Sequence, residues 1–260
     1  MLSRFRSLLI PGVDKNLLIK DATKLMPDLS RRRFIASGAS LGALTFLTGC
    51  DVTDSLSAEN MLVQMSKFND AVQAAIFNPN TLAPTFAEKD IKRPFPFNAF
   101  YSEDEAPEVD GADWKLEVTG LVQNRKPWTL AELHKLPEVS QITRHICVEG
   151  WSAIGSWQGT PLRDFLKSVG ADTTAKWVVF RCAEDYWSSL DMPTALHPQT
   201  QMTFKFDNQI LPRAYGFPMK IRVPTKLGFK NPKYVTSLEV TNDYKGGYWE
   251  DQGYNDFSGS

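Results

Sequence analysis

Cysteine is scarce in this 260-residue chain, with only Cys50, Cys147 and Cys182 present. Three are too few for a disulfide framework, so the fold must rest on a packed core. There is no Cys-x-x-Cys-His motif and no cysteine run spaced for an iron–sulfur cluster. Covalently attached haem and a built-in cluster are thereby excluded from this sequence. A charge excess is missing too: 29 basic residues stand against 30 acidic ones, whereas nucleic-acid binders usually carry a basic surplus. No apolar run reaches the roughly 20 residues of a membrane span. Repeats and low-complexity blocks are absent. What is plentiful is aromatic: seven Trp and 16 Phe. The bulk of the chain is therefore globular rather than disordered.

The N-terminal region has a different character. Ser30-Arg31-Arg32-Arg33-Phe34-Ile35 is a basic cluster followed by a mildly apolar, small-residue run to Gly49. That run is too short to span a membrane but suits the apolar stretch of an export signal. Its order resembles a twin-arginine signal, which carries folded proteins and is used mostly by enzymes that acquire a cofactor before export. Leu47-Thr48-Gly49-Cys50 then resembles a lipoprotein box, with the Cys50 thiol as the lipid acceptor. Asp51 resembles a signal for inner-membrane retention. A plain cleaved signal is the alternative. Residues 1–29 form a long lead, and Met26 is an alternative start. The expected location is periplasmic, anchored to the inner membrane by a lipid on Cys50.

Removing about 50 residues of targeting sequence leaves about 200, enough for one domain that needs no staples. Ser55–Ala58 reads as a tether. From Ala58 to Phe77, apolar residues at Met61, Met65, Phe68, Val72 and Ile76 have helical spacing, and Asn78-Pro79-Asn80 ends that helix. The Pro/Phe segment Arg93–Asn98 reads as irregular chain laid over the core. Trp114–Val118 alternates as a strand. Thr129 and Glu132 form a capping box opening a helix over Leu130–Leu136. Gln141–Val148 is a strand carrying Cys147. A helix runs from Pro161 to Val169, with Gly170 stopping it. Trp177–Cys182 is an apolar strand, Leu190–Pro198 a loop with a short helix, and strands and turns fill Met202–Val240. The fold class is α+β: a single mixed domain with mostly antiparallel sheets and short helices. The expected segments are 1–50 targeting, 51–89 tether and helix, 90–245 catalytic domain and 246–260 tail.

Two segments carry the chemistry. In the first, Arg144-His145-Ile146-Cys147-Val148-Glu149-Gly150-Trp151-Ser152, a thiol at a strand end is followed by Gly and Ser, where its side chain can point into a cleft. A thiolate there is a soft ligand for a thiophilic metal, and Arg144 and His145 are close enough in sequence to lower its pKa. Residue types alone leave open a buried core cysteine, a disulfide to Cys182, or a thiol enzyme using His145. The second segment, Tyr215–Lys233, combines Gly and Pro turns with cations at Lys220, Arg222, Lys226, Lys230 and Lys233. Cations and free backbone N–H groups suit a phosphate; a solvated charge run is the plain alternative.

Cys-Val-Glu-Gly-Trp-Ser, followed by Trp157-x-Gly159-x-Pro161-Leu162, resembles the cysteine loop of the sulfite oxidase superfamily, the oxidoreductase molybdopterin-binding fold. The likeness covers roughly residues 90–245 and is close to the periplasmic methionine-sulfoxide reductase branch and its relatives. It implies that Cys147 binds molybdenum beside the dithiolene of one molybdopterin. It implies that Asn98, Tyr101 and Ser102 (in Asn98-Ala99-Phe100-Tyr101-Ser102) touch the pterin, although Ser102 replaces a commonly acidic residue. Tyr215, Lys220, Asn231, Pro232 and Lys233 match the family's C-terminal cofactor segment, with Tyr215 in place of Asn and Lys220 in place of Arg. Cys182 stands near the cofactor where relatives often have Thr, and His197, in a His-Pro-x-Thr element, reads as structural. The implied activity is two-electron, oxygen-atom-transfer chemistry at molybdenum. Electrons then need an outside carrier, and a membrane b-type cytochrome is the expected partner. Sulfite oxidases place arginines after the cysteine, whereas Glu149 and Trp151 follow it here. A carboxylate repels a dianion, so a neutral small-molecule or protein sulfoxide is expected over sulfite. The alternatives are a sulfite dehydrogenase-like enzyme and a cofactor-free envelope binding lipoprotein.

Overall fold

The computed structural model describes residues 55–260, with side chains from Met61 onward. The export-signal and lipid-box readings, Cys50 included, lie outside the described residues. Helix α1, Ser55–Ile76, begins within the segment expected to be a tether. None of the described helices is long and apolar enough to cross a membrane.

Residues Met61–Ser260 form one compact unit built on two sheets. In chain order, β1 is Lys115–Gly120, β2 Trp128–Thr129 and α2 Leu130–Leu133. Next come β3 Val139–Ile146, β4 Ser152–Pro161 and α3 Leu162–Ser168. These are followed by β5 Trp177–Cys182, β6 Trp187–Asp191 and α4 Met192–Ala195. The last four strands are β7 Gln201–Phe206, β8 Gln209–Ile210, β9 Lys220–Arg222 and β10 Val235–Thr241. One sheet has the order β2-β1-β10-β5-β6; the other runs β3-β4-β7-β8, with β9 also on β7. Only β1 with β10 is parallel among these pairs; the others are antiparallel. The mixed, mostly antiparallel α+β expectation therefore holds.

A single core joins the sheets. Leu116, Val118, Val178, Phe180 and Leu238 from the first pack with Met202, Phe204 and Ile221 from the second, and α3 adds Leu162, Phe165 and Leu166. Burying such side chains completely is worth about 1.5–3 kcal/mol each, which sets the relation of the sheets. A smaller cluster of Phe95, Trp157, Phe206 and Leu211 lies under the irregular Pro/Phe segment.

Local chemistry explains the well-placed helix ends. Thr129 Oγ1 accepts from Glu132 N at 3.3 Å, and Glu132 Oε2 accepts from Thr129 N at 2.9 Å. That reciprocal capping box opens α2, which ends at Leu133, three residues earlier than expected. Three strands were not expected: the two-residue β2, β4, which is buried along most of its length, and the short β6. Cys147 lies one residue past β3 rather than inside it.

Candidate functional site

Burial along β3 alternates, and Thr143, His145 and Cys147 fall on the buried side while Arg144 is exposed. Cys147 N donates to Trp151 O at 2.9 Å and Gly150 N donates to Cys147 O at 3.2 Å. These bonds close a tight turn between β3 and β4, and Gly150 supplies its positive φ of 90°. Cys147 thereby reaches the wall of a cleft enclosing ≈ 790 Å³, mouth included. Asn98, Tyr101, Glu149, Glu184, Asn231, Pro232 and Lys233 share that cleft, and Phe100, Phe229, Trp249 and Tyr254 supply aromatic surface.

Both Cys147 and Cys182 are free thiols, so the disulfide alternative does not form. Burial raises the Cys147 pKa, and the Glu149 carboxylate, 3.7 Å from its sulfur, adds to the effect. This reverses the expectation of a lowered pKa. His145 is fully buried and held neutral by desolvation and by the charges of Lys220, Arg222 and Lys233. Arg144 faces away, over the Phe86 ring at 5.1 Å. A thiol with no cation beside it is a poor free nucleophile, which argues against the thiol-enzyme alternative. A bound metal ion would deprotonate it outright.

The cation run is buried, not solvated. Lys220, Arg222, Lys226 and Lys230 are each at most 1% exposed and Lys233 is 7% exposed. Lys220 and Arg222 lie 5.0 and 5.5 Å from the Trp157 ring centroid. Burial, then Lys233 and Arg222, hold the Lys220 pKa well below its usual value. Burial lowers that of Arg222 to about 9 and that of Lys233 to about 8. Buried cations without carboxylate partners are unfavourable unless an anion joins them. Further polar atoms near them also lack partners among the described residues: Arg222 Nε, His145 Nδ1 and Asn98 Oδ1. The Asn98 side-chain amide lies within hydrogen-bond reach of His145, Nδ2 being 3.2 Å from Nε2. Gly228 permits this packing, because a Cβ there would meet His145 Nε2 at 2.7 Å.

These features fit molybdopterin. A soft ligand, an open cleft with aromatic walls and, behind it, a cation group able to take a terminal phosphate lie together. No group of three His, Cys, Asp or Glu side chains converges as a metal site among the described residues. A metal at Cys147 would therefore need ligands that arrive with a cofactor.

The other expected residues divide. Asn98, Tyr101, Cys147, Asn231, Pro232 and Lys233 line one cleft. Tyr101 donates its hydroxyl to Glu184 Oε2. Asn231 Oδ1 accepts from Arg222 Nη1 at 2.8 Å and from Val223 N at 2.7 Å, which ties the cation group to the loop before β10. Ser102, Cys182, Tyr215 and Lys220 do not line the cleft. Ser102 instead joins Glu105, its Oγ donating to Oε2 at 2.8 Å and its N at 3.0 Å. Cys182 packs against the main core. Tyr215 donates to Phe95 O at 2.7 Å within the smaller aromatic cluster. Lys220 lies behind the cleft against Trp157. His197 is structural, as expected: Nδ1 accepts from Gln199 N at 3.2 Å and Nε2 lies 3.0 Å from Thr81 O. Lys230 is paired with Glu250, and Lys226 lies 3.7 Å from Asp191. Sequence reasoning missed Glu184, Tyr186, Phe229, Trp249 and Tyr254, of which Trp249 and Tyr254 belong to the presumed tail.

The family model described as oxidoreductase molybdopterin binding domain matches residues 103–249. The chain is 59% identical over 241 residues, 93% of it and 92% of the relative, to an Azospira oryzae protein provisionally named as a protein-methionine-sulfoxide reductase subunit. It is 32% identical over 145 residues to a protein-methionine-sulfoxide reductase catalytic subunit of Ralstonia nicotianae, covering 50% of this chain and 44% of that one. A Burkholderia mallei subunit of the same name is 31% identical over 160 residues, 55% of this chain and 48% of that one. Among solved structures, sulfane dehydrogenase SoxCD from Paracoccus pantotrophus shares the fold. The TM-score is 0.50 at 20% identity, over 53% of this chain and 40% of that one.

Proposed function

This chain belongs to the family of oxidoreductase molybdopterin binding domains, and on that premise we propose that it reduces methionine sulfoxide in the cell envelope, with Cys147 as the protein ligand to molybdenum. Membership makes it a molybdopterin-dependent oxidoreductase. The observation carrying the site assignment is the Cys147 thiol on the wall of a cleft behind which the buried cations Lys220 and Arg222 have no acidic partner. In this reading Asn98, Tyr101, Asn231, Pro232 and Lys233 hold the pterin, and His145, Lys220 and Arg222 stand behind its phosphate. When bound, the cofactor supplies two-electron oxygen-atom chemistry.

The protein's own groups support a neutral substrate. Glu149 and Glu184 both line the cleft, and a carboxylate at Glu149 repels a sulfite dianion. The aromatic surface of Phe100, Phe229, Trp249 and Tyr254 suits a thioether-like side chain, since sulfur packs favourably against rings. Reducing a sulfoxide to a sulfide and water takes up two electrons and two protons. Burial raises the pKa of Glu184 against the opposing effect of the Tyr101 hydroxyl that donates to its Oε2, so this carboxyl is suited to hold a proton in the cleft.

The twin-arginine-like segment supports a periplasmic location, and the Cys50 box supports a lipid anchor to the inner membrane. Electrons come from a membrane b-type cytochrome in this reading, because the chain carries no haem-attachment or cluster motif of its own. The test is steady-state turnover by the cofactor-loaded enzyme, with reduced viologen and an oxidised methionine peptide in one arm and sulfite with an electron acceptor in the other. Sulfoxide reduction should dominate; faster turnover of sulfite than of any sulfoxide would overturn the substrate assignment. Phe100→Ala and Trp249→Ala should each raise KM for the peptide several-fold with little change in kcat. Unchanged KM in both would remove the aromatic surface from substrate recognition.

A further inference from the structure

Helix α1 is oriented against the usual rule for a surface helix, which buries its apolar stripe. The side chains that dock it are polar. Ser66 Oγ donates to Asn255 Oδ1 at 2.5 Å, Asp70 Oδ2 accepts from Asp256 N at 2.5 Å, and Gln73 Oε1 accepts from Gly259 N at 2.9 Å. Those three are also the only residues between Met61 and Ile76 that are not exposed. The apolar stripe lies elsewhere. Met61, Met65, Phe68, Val72 and Ile76 recur at helical spacing and are 56%, 56%, 68%, 40% and 76% exposed. At about 100° per residue, the centre of that stripe is roughly 120° around the helix from the docking face. Scattered exposed apolar residues need no explanation, but a continuous row does.

We propose that this stripe lies in the interface of the lipid bilayer, so that α1 is a membrane-facing float. The proposal rests on the reading of Cys50 as the lipid-bearing residue. Four residues, 51–54, lie between Cys50 and Ser55, the first residue of α1, and those five steps along the chain extend at most roughly 18 Å. An acyl chain at Cys50 therefore holds the start of the helix against the membrane. The stripe then removes from water the surface that the fold leaves bare. Charge agrees with a plain lipid surface. Between Met61 and Ile76 the only charged residues are Lys67 and Asp70, which cancel. Attachment should thus depend on apolar burial, not on anionic headgroups, and should be insensitive to salt.

The test uses the full mature protein in phosphatidylcholine vesicles, with a nitroxide placed by Met65→Cys or Phe68→Cys on the stripe, or by Lys67→Cys off it. The unsubstituted protein gives the background from Cys147 and Cys182. The stripe labels should become several-fold more accessible to oxygen relative to a water-soluble nickel chelate, at low and high salt alike, while the Lys67 label stays nickel-accessible. Three outcomes would overturn the proposal: all labels equally nickel-accessible; spin–spin broadening at positions 65 and 68 that persists without vesicles, as for a second copy; or protection appearing only when a membrane cytochrome is present. Mass analysis of the mature N-terminus reads lipidation separately. If no acyl group is found, the Cys50 reading fails alone, and the same labels with added vesicles still decide the fate of the helix.

Discussion

The five cations between Lys220 and Lys233 fall into two groups with opposite physical situations. Lys230 and Lys226 sit beside acids: Lys230 is ion-paired with Glu250, both almost fully buried, and Lys226 lies 3.7 Å from Asp191. Lys220 and Arg222 have no acid acting on them; only burial and, for Lys220, other cations set its proton affinity. Lys233 lies between the two cases, beside Glu184 and in the cleft. One short stretch therefore contains a cation that completes the fold, Lys230, one that its acid only partly compensates, Lys226, and cations that the fold alone leaves uncompensated. The last kind marks the place where an anion is missing from the chain's own chemistry.

Breaking each group should give different signs. The largest effect is expected for Lys230→Met, which leaves Glu250 buried and unpaired. Denaturant unfolding should show a loss of about 3–5 kcal/mol, with the remaining folded protein keeping its cofactor-binding capacity. Lys220→Met should do the reverse. Removing an uncompensated buried charge should stabilise the cofactor-free protein by about 1 kcal/mol or more, while pterin retained on purification falls. If Lys220→Met destabilised as much as Lys230→Met, the distinction between the groups would be lost.

A third test is a pH dependence. Burial lowers the Lys226 pKa to about 7, from an ordinary value of 10.5. Between those values the unfolded chain binds the proton and the folded chain does not, so stability should rise with pH from about 7 toward 10.5. Below pH 7 both states are charged and the contribution levels off at its least favourable value. Thermal melts of the wild type and Lys226→Met across this range should diverge, with the variant lacking this rising component.

Much of this was legible in the sequence where local chemistry decides. The Thr129–Glu132 capping box and the Gly170 stop need only their neighbours. Strand β4 was not legible, because it is buried along most of its length and carries Gly155 and Gly159, so it lacks the alternation that marks a half-buried strand. Cys147, Asn98, Tyr101 and the Asn231–Lys233 run were found through motif order. Glu184, Trp249 and Tyr254 were not, since they come from a turn and a terminal segment with no spacing signal and meet Cys147 only in the folded chain. Nor does a row of lysines announce whether it faces water; the two sheets and the C-terminal segment decide that. The α1 stripe shows the same limit from the other side: its helical period was plain, but the assumption that an apolar stripe faces the core was not met.

The central claim is that Cys147 ligates molybdenum in a cleft built for molybdopterin. Its most direct test is metal and pterin content of wild type and Cys147→Ala, purified from a host that makes the cofactor. One molybdenum and one pterin per wild-type chain are predicted, with molybdenum lost in Cys147→Ala at unchanged thermal stability of the cofactor-free proteins. A wild-type protein free of both, or a Cys147→Ala variant that keeps its full molybdenum, would contradict the account.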